Sequence, residues 1–346
     1  MPRTISAIIQ EEQNLWISPN TSTQHYKVIM SFLNTPEFEK FKEKRQTWIA
    51  CFSSQDRNSI IQQIYSMIWD AAVFNVINEA WKYAREAEEG EPEINWMAHR
   101  LIIECFLRSQ AVAIRRFIDT YGIEGKKGVY SLFSLIEDME QNTHLLKRQH
   151  FFPVENLSYD PEPVQESYEK YVKEQEEAGK TAYGIPAELD VSLIYERHEQ
   201  IDKLAGVDKD HRLPDDTVRT DCFKRLKQKL VTDCEKIKDY VDKYIAHAAT
   251  PWSRDQVNAD DIQLNLEQLR KAHETICKIA NFLDLYLLSG SSHYFLPLPH
   301  YEQLKYIDRP LITEKNIQHL HDVWQEYDQE TASWSSWGLE EFEKEI

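Results

Sequence analysis

The sequence predicts an all-α protein, a helical bundle built around a long antiparallel helix hairpin. Only nine glycines occur in 346 residues, and the composition is dominated by Leu, Ile, Glu, Lys, Gln and Ala, the residues that favour strong helices. Apolar residues recur at helical spacing, whereas neither strand-like alternation nor β-hairpin turn signals recur. The hydrophobic fraction of 42% is sufficient for a core without disulfide bonds.

Net charge and cysteine usage narrow the class of protein. A formal charge of −18 argues against coating nucleic acid or an anionic membrane with the whole surface, but leaves room for a local basic patch. The first sixteen residues contain no apolar signal core, and no run reaches the roughly 20 apolar residues of a membrane span. Widely spaced cysteines predict buried thiols in a reducing compartment, so we expect a cytoplasmic protein. They are Cys51, Cys105, Cys222, Cys234 and Cys277.

Residues 1–150 are predicted to form the N-terminal part of the bundle. Short amphipathic pieces over residues 4–50 include "NTPEFEKF", in which a threonine before Pro-Glu is typical of a helix start. The segment "SSQDRNSIIQQIYSMIWDAAVFNVINEAWKYAREAEEGEP" then predicts one long, deeply buried helix closed by Gly90. Its apolar residues at helical spacing are Ile60, Ile64, Met67, Ile68, Ala71, Ala72 and Val76.

The next predicted helix, "NWMAHRLIIECFLRSQAVAIRRFIDTYG", places an arginine on its apolar face. The predicted inner stripe is Ile102, Cys105, Phe106, Ser109, Val112, Ala113 and Phe117. Arg116 falls on that stripe, where a guanidinium must find a carboxylate, a carbonyl or an anion. It either pairs with Glu137 or Asp138 of the following helix, "GVYSLFSLIEDMEQN", or holds a phosphate. Arg115 falls on the outer flank, where ordinary solvated pairing suffices.

Three further segments follow. Residues 151–190, rich in Pro and Glu, predict a connector with one exposed helix. Within 191–290, "DCFKRLKQKLVTDCEKIKDYVDKYIAHA" and "IQLNLEQLRKAHETICKIANFLDLYLL" predict an antiparallel hairpin, because the turn of roughly 12 residues is short beside such helices. His247 then lies at the hairpin tip. Residues 291–346 predict an aromatic arm, whose tryptophans Trp324, Trp334 and Trp337 offer surface for a homodimer contact.

Familiar catalytic motifs are missing from the sequence. It contains no G-x-x-x-x-G-K-[ST], no G-x-G-x-x-G and no G-x-S-x-G, which excludes nucleotide hydrolysis by a P-loop. His319 and His321 are two residues apart and point to different sides of a helix, so they form a poor metal-binding pair. No metal site is expected.

The order of the predicted helical segments along the chain indicates a family resemblance. With "RSQAVAIRRFIDTYG", "SLFSLIEDM", "DKYIAH" and "LEQLRKAHETICKIANFLDLYLL" in succession, the chain resembles the HEPN superfamily over residues 55–150 and 215–290, in particular abortive-infection proteins of the AbiU type. This resemblance implies a helical bundle that dimerises. It also implies a cofactor-free, metal-independent RNase of a toxin–antitoxin or phage-defence system, with an antitoxin or defence protein as partner. Other members of the superfamily are inactive scaffolds.

The superfamily hallmark is an arginine, commonly followed by a polar residue, then a short spacer and a histidine at a helix end. Asp242 and His247 match the polar residue and the histidine, whereas Val241 occupies the arginine position. The resemblance makes His247 the base that takes a proton from a 2′-OH, in the pH range where imidazole titrates. The cation that holds charge on the phosphate oxygens is then Arg116, or else Lys243.

Two functions remain open at this point. In the first, the chain is an RNase or a degenerate RNase-like subunit, with Asp242 in the catalytic group and Lys243, Arg115 and Tyr244 binding RNA. In the second, it is a non-enzymatic interaction protein whose hairpin dimerises or binds a partner, and the histidine only closes a helix and interacts with its dipole. The valine at the arginine position favours the second function, and the retained aspartate and histidine favour the first.

Overall fold

The computed structural model describes residues 35–86, 95–178, 189–246, 264–288 and 317–334, together with single positions between 290 and 307. The chain divides into two compact units, Met1–Pro297 and Leu298–Ile346. Within the described residues there is no strand, only an isolated antiparallel bridge between Lys147 and Thr217. The predicted all-α class is therefore confirmed.

Nine α-helices are described in the first unit. In chain order they are α1 (Pro36–Ser53), α2 (Ile60–Glu86), α3 (Trp96–Phe117), α4 (Leu132–Gln141), α5 (Arg148–Val154), α6 (Glu162–Glu177), α7 (Val191–Ala205), α8 (Thr220–Tyr240) and α9 (Leu266–Leu283). Two π-helical segments, Val241–Ile245 and Asp284–Leu288, continue α8 and α9. The described helix of the second unit is α10 (Ile317–Trp334).

Local capping residues explain where several helices begin and end. The Thr35 side chain accepts a hydrogen bond from the Phe38 amide at 3.2 Å, with Pro36 at the first helical position, which confirms the predicted start of α1. Asn265 opens α9 through a reciprocal capping box with Gln268. Gly206 closes α7 with a φ of 71°, a left-handed conformation that favours glycine.

Helix α8 is central to the first unit, where it packs against α3, α4 and α9. The sequence pattern places seven residues on one face of this helix: Phe223, Leu226, Leu230, Cys234, Ile237, Val241 and Tyr244. All of them except Leu226 and Tyr244 are buried, so most of this predicted stripe is confirmed. Between α8 and α9, the Thr275 hydroxyl donates to the Asp233 carboxylate at 2.5 Å. By contrast, the predicted connector helix α6 buries no residue.

Helix α2 is long but not deeply buried along its whole length, so that prediction is wrong for its second half. Ile60, Ile64 and Met67 lie in the core, whereas Val76 is 39% exposed and Tyr83 is 65% exposed. The apolar pattern is continuous, but Phe74 is the last position of α2 that is described as buried. Gly90, the predicted end, lies outside the described residues. Nor are all cysteines buried as predicted, because Cys105 is exposed.

Arg148 is fully buried and forms the centre of an ionic cluster. It donates to Asp216 at 3.0 Å, to Asp202 at 2.8 Å and to the His198 carbonyl at 3.2 Å. Arg212 binds the same Asp202 carboxylate at 2.5 Å. Burial alone raises the pKa of Asp202, but hydrogen bonds from Arg212 and Arg148 outweigh it and hold that pKa below its usual value. The cluster links α5, α7 and the segment before α8.

The buried imidazole of His273 in α9 is expected to make the folded protein less stable in acid. Its Nε2 is buried without a hydrogen-bond partner among the described residues, and burial lowers the imidazole pKa from 6.5 to about 4. Below pH 6.5 the unfolded chain takes up a proton that the folded chain refuses until about pH 4. The free energy of unfolding should therefore fall as the pH drops through this window, by up to about 3 kcal/mol.

Urea unfolding of the wild type and of His273→Leu between pH 7 and pH 4.5 measures this contribution, because the carboxylates titrate in both proteins. The wild type should lose more stability on acidification than the variant. If the free energy of unfolding fell equally with pH in both proteins, the folded protein would accommodate a charged His273, and the prediction would be wrong.

Candidate functional site

The candidate site is the C-terminal end of α8, where the helix changes to a π-helical turn. The Ala246 amide donates to the Val241 carbonyl at 2.8 Å, which closes this wider turn. Such π-turns occur frequently at functional sites. Val241 is only 2% exposed, so the residue at the hallmark arginine position is part of the core. An arginine in that orientation would have to be desolvated.

Arg115 of α3 reaches this turn and provides its cation. Its Nε donates to Asp242 Oδ1 at 3.2 Å, and its Nη1 donates to Asp119 Oδ2 at 2.7 Å. The side chains of Arg115 and Asp242 are 33% and 26% exposed. The prediction that Arg115 lies on a solvated outer flank is therefore wrong, because it is half-buried and ties α3 to the π-turn.

Asp242 is held as a carboxylate by two cations. Besides Arg115, Lys238 donates to its Oδ2 at 2.8 Å. Burial raises the pKa of Asp242, but the hydrogen bonds from Lys238 and Arg115 outweigh that effect and lower the pKa. Both carboxylate oxygens are thus engaged, and the geometry suits a positioning role better than that of a proton acceptor.

Arg116 is exposed, which contradicts its predicted inward orientation. The buried residues of α3 are Gln110, Ala111, Ile114 and Phe117, so the face of the helix that enters the core is rotated from the predicted stripe. The expected pairing with the next helix is also wrong. Glu137 lies near Lys227 at 3.7 Å, and Asp138 accepts from Lys44 at 3.1 Å and from Trp48 Nε1 at 2.6 Å. Within the described part of the chain Arg116 forms no ion pair.

The remaining predicted binding residues lie on the π-turn itself. Lys243 is half-buried, and Tyr244 is 40% exposed. The Tyr244 ring stacks on Tyr240, with 5.4 Å between ring centroids and 25° between the planes. Stacked, partly exposed tyrosines provide an aromatic face on which a nucleobase can stack.

His247, the predicted base, lies outside the described residues, as does the rest of the turn up to residue 263. It follows the described π-turn directly in sequence. The structure therefore brings together Arg115, Asp242, Lys243 and Tyr244 at one helix end, with Arg116 adjacent to Arg115 in α3.

The local charge differs in sign from that of the whole chain. Residues 115–119 and 238–243 contain four cations and three carboxylates, giving a net charge of +1 against −18 for the full sequence. They are Arg115, Arg116, Lys238 and Lys243, with Asp119, Asp239 and Asp242. A cationic area on an acidic protein favours a localised phosphate contact over general coating of nucleic acid. In the regions that the structure describes, no cluster of His, Cys, Asp or Glu suits a metal ion.

A second polar group was missed by sequence reasoning. His293 Nε2 lies 2.8 Å from Asp284 Oδ2, and His293 Nδ1 lies 3.4 Å from the Tyr65 hydroxyl. Gly290 approaches the Asp284 carboxylate so closely that a Cβ there would clash. The group connects α2, the end of α9 and the segment after it. Tyr65 and His293 are 228 positions apart, so no local pattern indicates their contact.

No protein-family model matches the chain, and no significant match is found among the curated proteins or the solved structures. The functional interpretation therefore depends on the chemistry of the site.

Proposed function

We propose that this chain is an RNA-directed protein of HEPN type, in which the α8 end binds the RNA backbone and His247 cleaves it without a metal ion. The observation that carries the proposal is the exposed Arg116, which has no ion pair among the described residues and follows the structurally engaged Arg115. Arg115 and Asp242 join α3 to the turn that leads to His247. One arginine thus positions the site, and the next is left for a phosphate.

The superfamily hallmark contains one arginine, whereas here two arginines, Arg115 and Arg116, have separate roles. Arg115 is neutralised by Asp119 and Asp242, so its contribution is to hold the π-turn against α3. Arg116 supplies the fixed positive charge for the non-bridging phosphate oxygens, which a planar guanidinium binds with two parallel hydrogen bonds. Lys243 adds positive charge on the turn, and Tyr244 stacks on a base.

The proposed reaction is cleavage through the neighbouring 2′-OH. His247 takes the proton from this hydroxyl, and the 2′-oxygen attacks the phosphorus. The P–O bond to the 5′-oxygen breaks, and that oxygen leaves as a 5′-hydroxyl after taking up a proton. The products are a 2′,3′-cyclic phosphate and a 5′-hydroxyl. DNA cannot react in this way, because it has no 2′-OH.

The test is incubation of the full-length chain with single-stranded RNA and excess chelator, followed by analysis of the new ends. The proposal predicts cleavage of the RNA with 2′,3′-cyclic phosphate termini. It also predicts no cleavage of the same sequence synthesised from 2′-deoxynucleotides. Loss of activity on metal removal would contradict the proposed chemistry, as would equal cleavage of DNA.

A non-enzymatic interaction protein is the second candidate function. It is favoured by the buried Val241, an apolar residue that leaves the hallmark arginine position without a cation. It is also favoured by Asp242, because Arg115 and Lys238 occupy both of its carboxylate oxygens. In this case the same contacts only stabilise the hairpin, and the chain acts in the cytoplasm through an antitoxin, another defence protein or a second copy of itself. Neither RNA binding nor cleavage by the wild type would favour this function, whereas RNA binding without cleavage would indicate a degenerate RNase-like subunit.

A further inference from the structure

A tight turn in the loop between α3 and α4 exposes two adjacent lysines. Lys126 and Lys127 form the tip of this turn, and both are exposed. The Gly128 amide donates to the Gly125 carbonyl at 3.0 Å, which closes the turn. Gly125 has a φ of 89°, a conformation that favours glycine. We refer to Lys126 and Lys127 as the lysine turn.

Hydrogen bonds hold the base of this loop at the C-terminal end of α3. The Asp119 carbonyl, just after α3, accepts from the Ser131 hydroxyl at 2.7 Å and from the Ser134 hydroxyl at 2.8 Å. The Val129 amide donates to the Gly122 carbonyl at 3.0 Å, so the two strands of the loop meet again at its base. The lysine turn is therefore presented from the end of α3 that contributes to the candidate site.

Contacts of α4 place the loop and the π-turn of α8 at the same end of the bundle. At the C-terminal end of α4, Glu140 forms an ion pair with Lys227 in the first half of α8 at 2.5 Å. At its N-terminal end, the capping serine bonds to Asp119, whose carboxylate lies 2.7 Å from Arg115. Arg115 in turn reaches Asp242 after α8 at 3.2 Å. The two helices therefore run antiparallel, and the loop that precedes α4 lies near the end of α8.

The length of the loop limits how far the lysine turn lies from the other groups of the site. Lys126 follows Gly122 by four residues, so its Cα lies at most about 14 Å from the loop base. Tyr121, next to this base, is 56% exposed and offers a ring on which a nucleobase can stack. A strand that contacts Arg116 therefore passes the loop base and reaches the lysine turn within several nucleotides.

The charge of the loop is positive, although the chain is acidic. Residues 120–130 contain the two lysines and a single carboxylate, Glu124. Glu124 lies 3.5 Å from Lys44 of α1, whereas the two lysines form no ion pair among the described residues. Because the full chain has a net charge of −18, unpaired cations grouped at one end of the bundle favour a local contact with a polyanion. Cations combined with exposed aromatic rings are typical of single-strand binding sites.

We propose that the lysine turn is a second phosphate-binding point, which extends the RNA site from the end of α8 along the α3–α4 loop. This inference rests on the proposed function, since the strand that it holds is the one that Arg116 contacts. It makes the substrate a single strand of several nucleotides, because a dinucleotide with one phosphate contacts Arg116 without reaching the lysine turn. The two lysines position the strand and take no part in the cleavage step.

Binding of single-stranded RNA of about 12 nucleotides by the full-length wild type and by the double variant Lys126→Ala, Lys127→Ala tests the proposal. Loss of two phosphate contacts should reduce the salt slope by roughly 1.4 and the affinity by about 25-fold at about 0.1 M salt. Cleavage of this RNA should show a raised KM with an unchanged kcat, and cleavage of a dinucleotide should be unchanged. Both side chains are exposed, so the variant should retain the wild-type thermal midpoint.

The matched control is Lys203→Ala, Lys209→Ala, which removes the same charge from the other end of the bundle. Both lysines are exposed. They flank the end of α7, where the Leu204 carbonyl accepts from the Arg219 amide at 3.1 Å, immediately before α8. Helix α8 extends for about 30 Å from there to the candidate site. The control should therefore bind and cleave RNA like the wild type.

Several results would overturn the proposal. Wild-type affinity and salt slope in the Lys126→Ala, Lys127→Ala variant would refute the second binding point and leave the proposed function intact. Equal weakening in the control variant would mean that overall charge holds the strand. A lowered kcat with an unchanged KM would place the lysines in the cleavage step. A wild type that binds no RNA would refute this inference together with the proposed function.

Discussion

Replacing Arg148 with methionine is expected to lower the free energy of unfolding by about 3 to 5 kcal/mol, because it leaves the largely buried Asp216 carboxylate without its cation. Arg148 has no solvent exposure, and the side chains of Asp202 and Asp216 are 13% and 9% exposed. Asp202 keeps Arg212 in the variant, whereas among the described residues Asp216 keeps only the Leu213 amide at 3.0 Å. Methionine fills much of the volume that the arginine side chain occupied. The loss of stability therefore reflects the unpaired Asp216 carboxylate more than a cavity.

Chemical denaturation followed by far-ultraviolet circular dichroism measures this loss. Arg225→Met is the matched control, because Arg225 is 77% exposed in its pair with Asp221 and should be nearly neutral. The lowered pKa of Asp202 means that its ionic stabilisation is present at neutral pH and lost as the pH falls through the folded-state pKa. Wild-type stability in Arg148→Met would show that water or rearrangement relieves the stranded carboxylate.

Replacing His247 with alanine is expected to abolish RNA cleavage while leaving helical content and the unfolding midpoint nearly unchanged. His247 lies between Ala246 and Ala248 in the sequence, and Ala246 is exposed at the end of the π-turn. Removing an imidazole next to these small residues should open little core volume, so a large loss of activity has to be chemical.

His211→Ala is the control for this experiment, because His211 is an exposed histidine outside the candidate site. It should cleave RNA at the wild-type rate. If His247→Ala retained full cleavage, histidine would not be the base at this position, and the proposed mechanism would be wrong.

The fold class could be predicted because helical composition and apolar periodicity agree along most of the chain. The inner stripe of α8 was predicted well for the same reason. The orientation of α3 was not, because adjacent residues differ by only about 100° around a helix, and several small or apolar residues fit either face. Packing of Ile114 and Phe117 decides the rotation, and it turns Arg116 outward and Arg115 toward Asp242.

Long-range polar contacts could not be predicted from local pattern. Arg148 meets Asp202 and Asp216 across 54 and 68 positions, and Arg115 meets Asp242 across 127. Such pairs depend on how helices pack, which a periodic pattern does not specify. Likewise, the apolar pattern of α2 predicts a helix buried along its whole length, whereas Val76 and Tyr83 in its second half are exposed.

The most direct test of the RNA-directed site compares the binding of single-stranded RNA by the wild type, Arg116→Ala and Arg108→Ala. Arg108 lies on the same helix and is also exposed, 3.9 Å from Glu104, so it controls for general loss of charge. The account predicts that Arg116→Ala alone weakens binding, with unchanged thermal stability and a salt slope reduced by roughly 0.7, the value for one phosphate contact on a single strand. Equal weakening in both variants, or no RNA binding by the wild type, would contradict it.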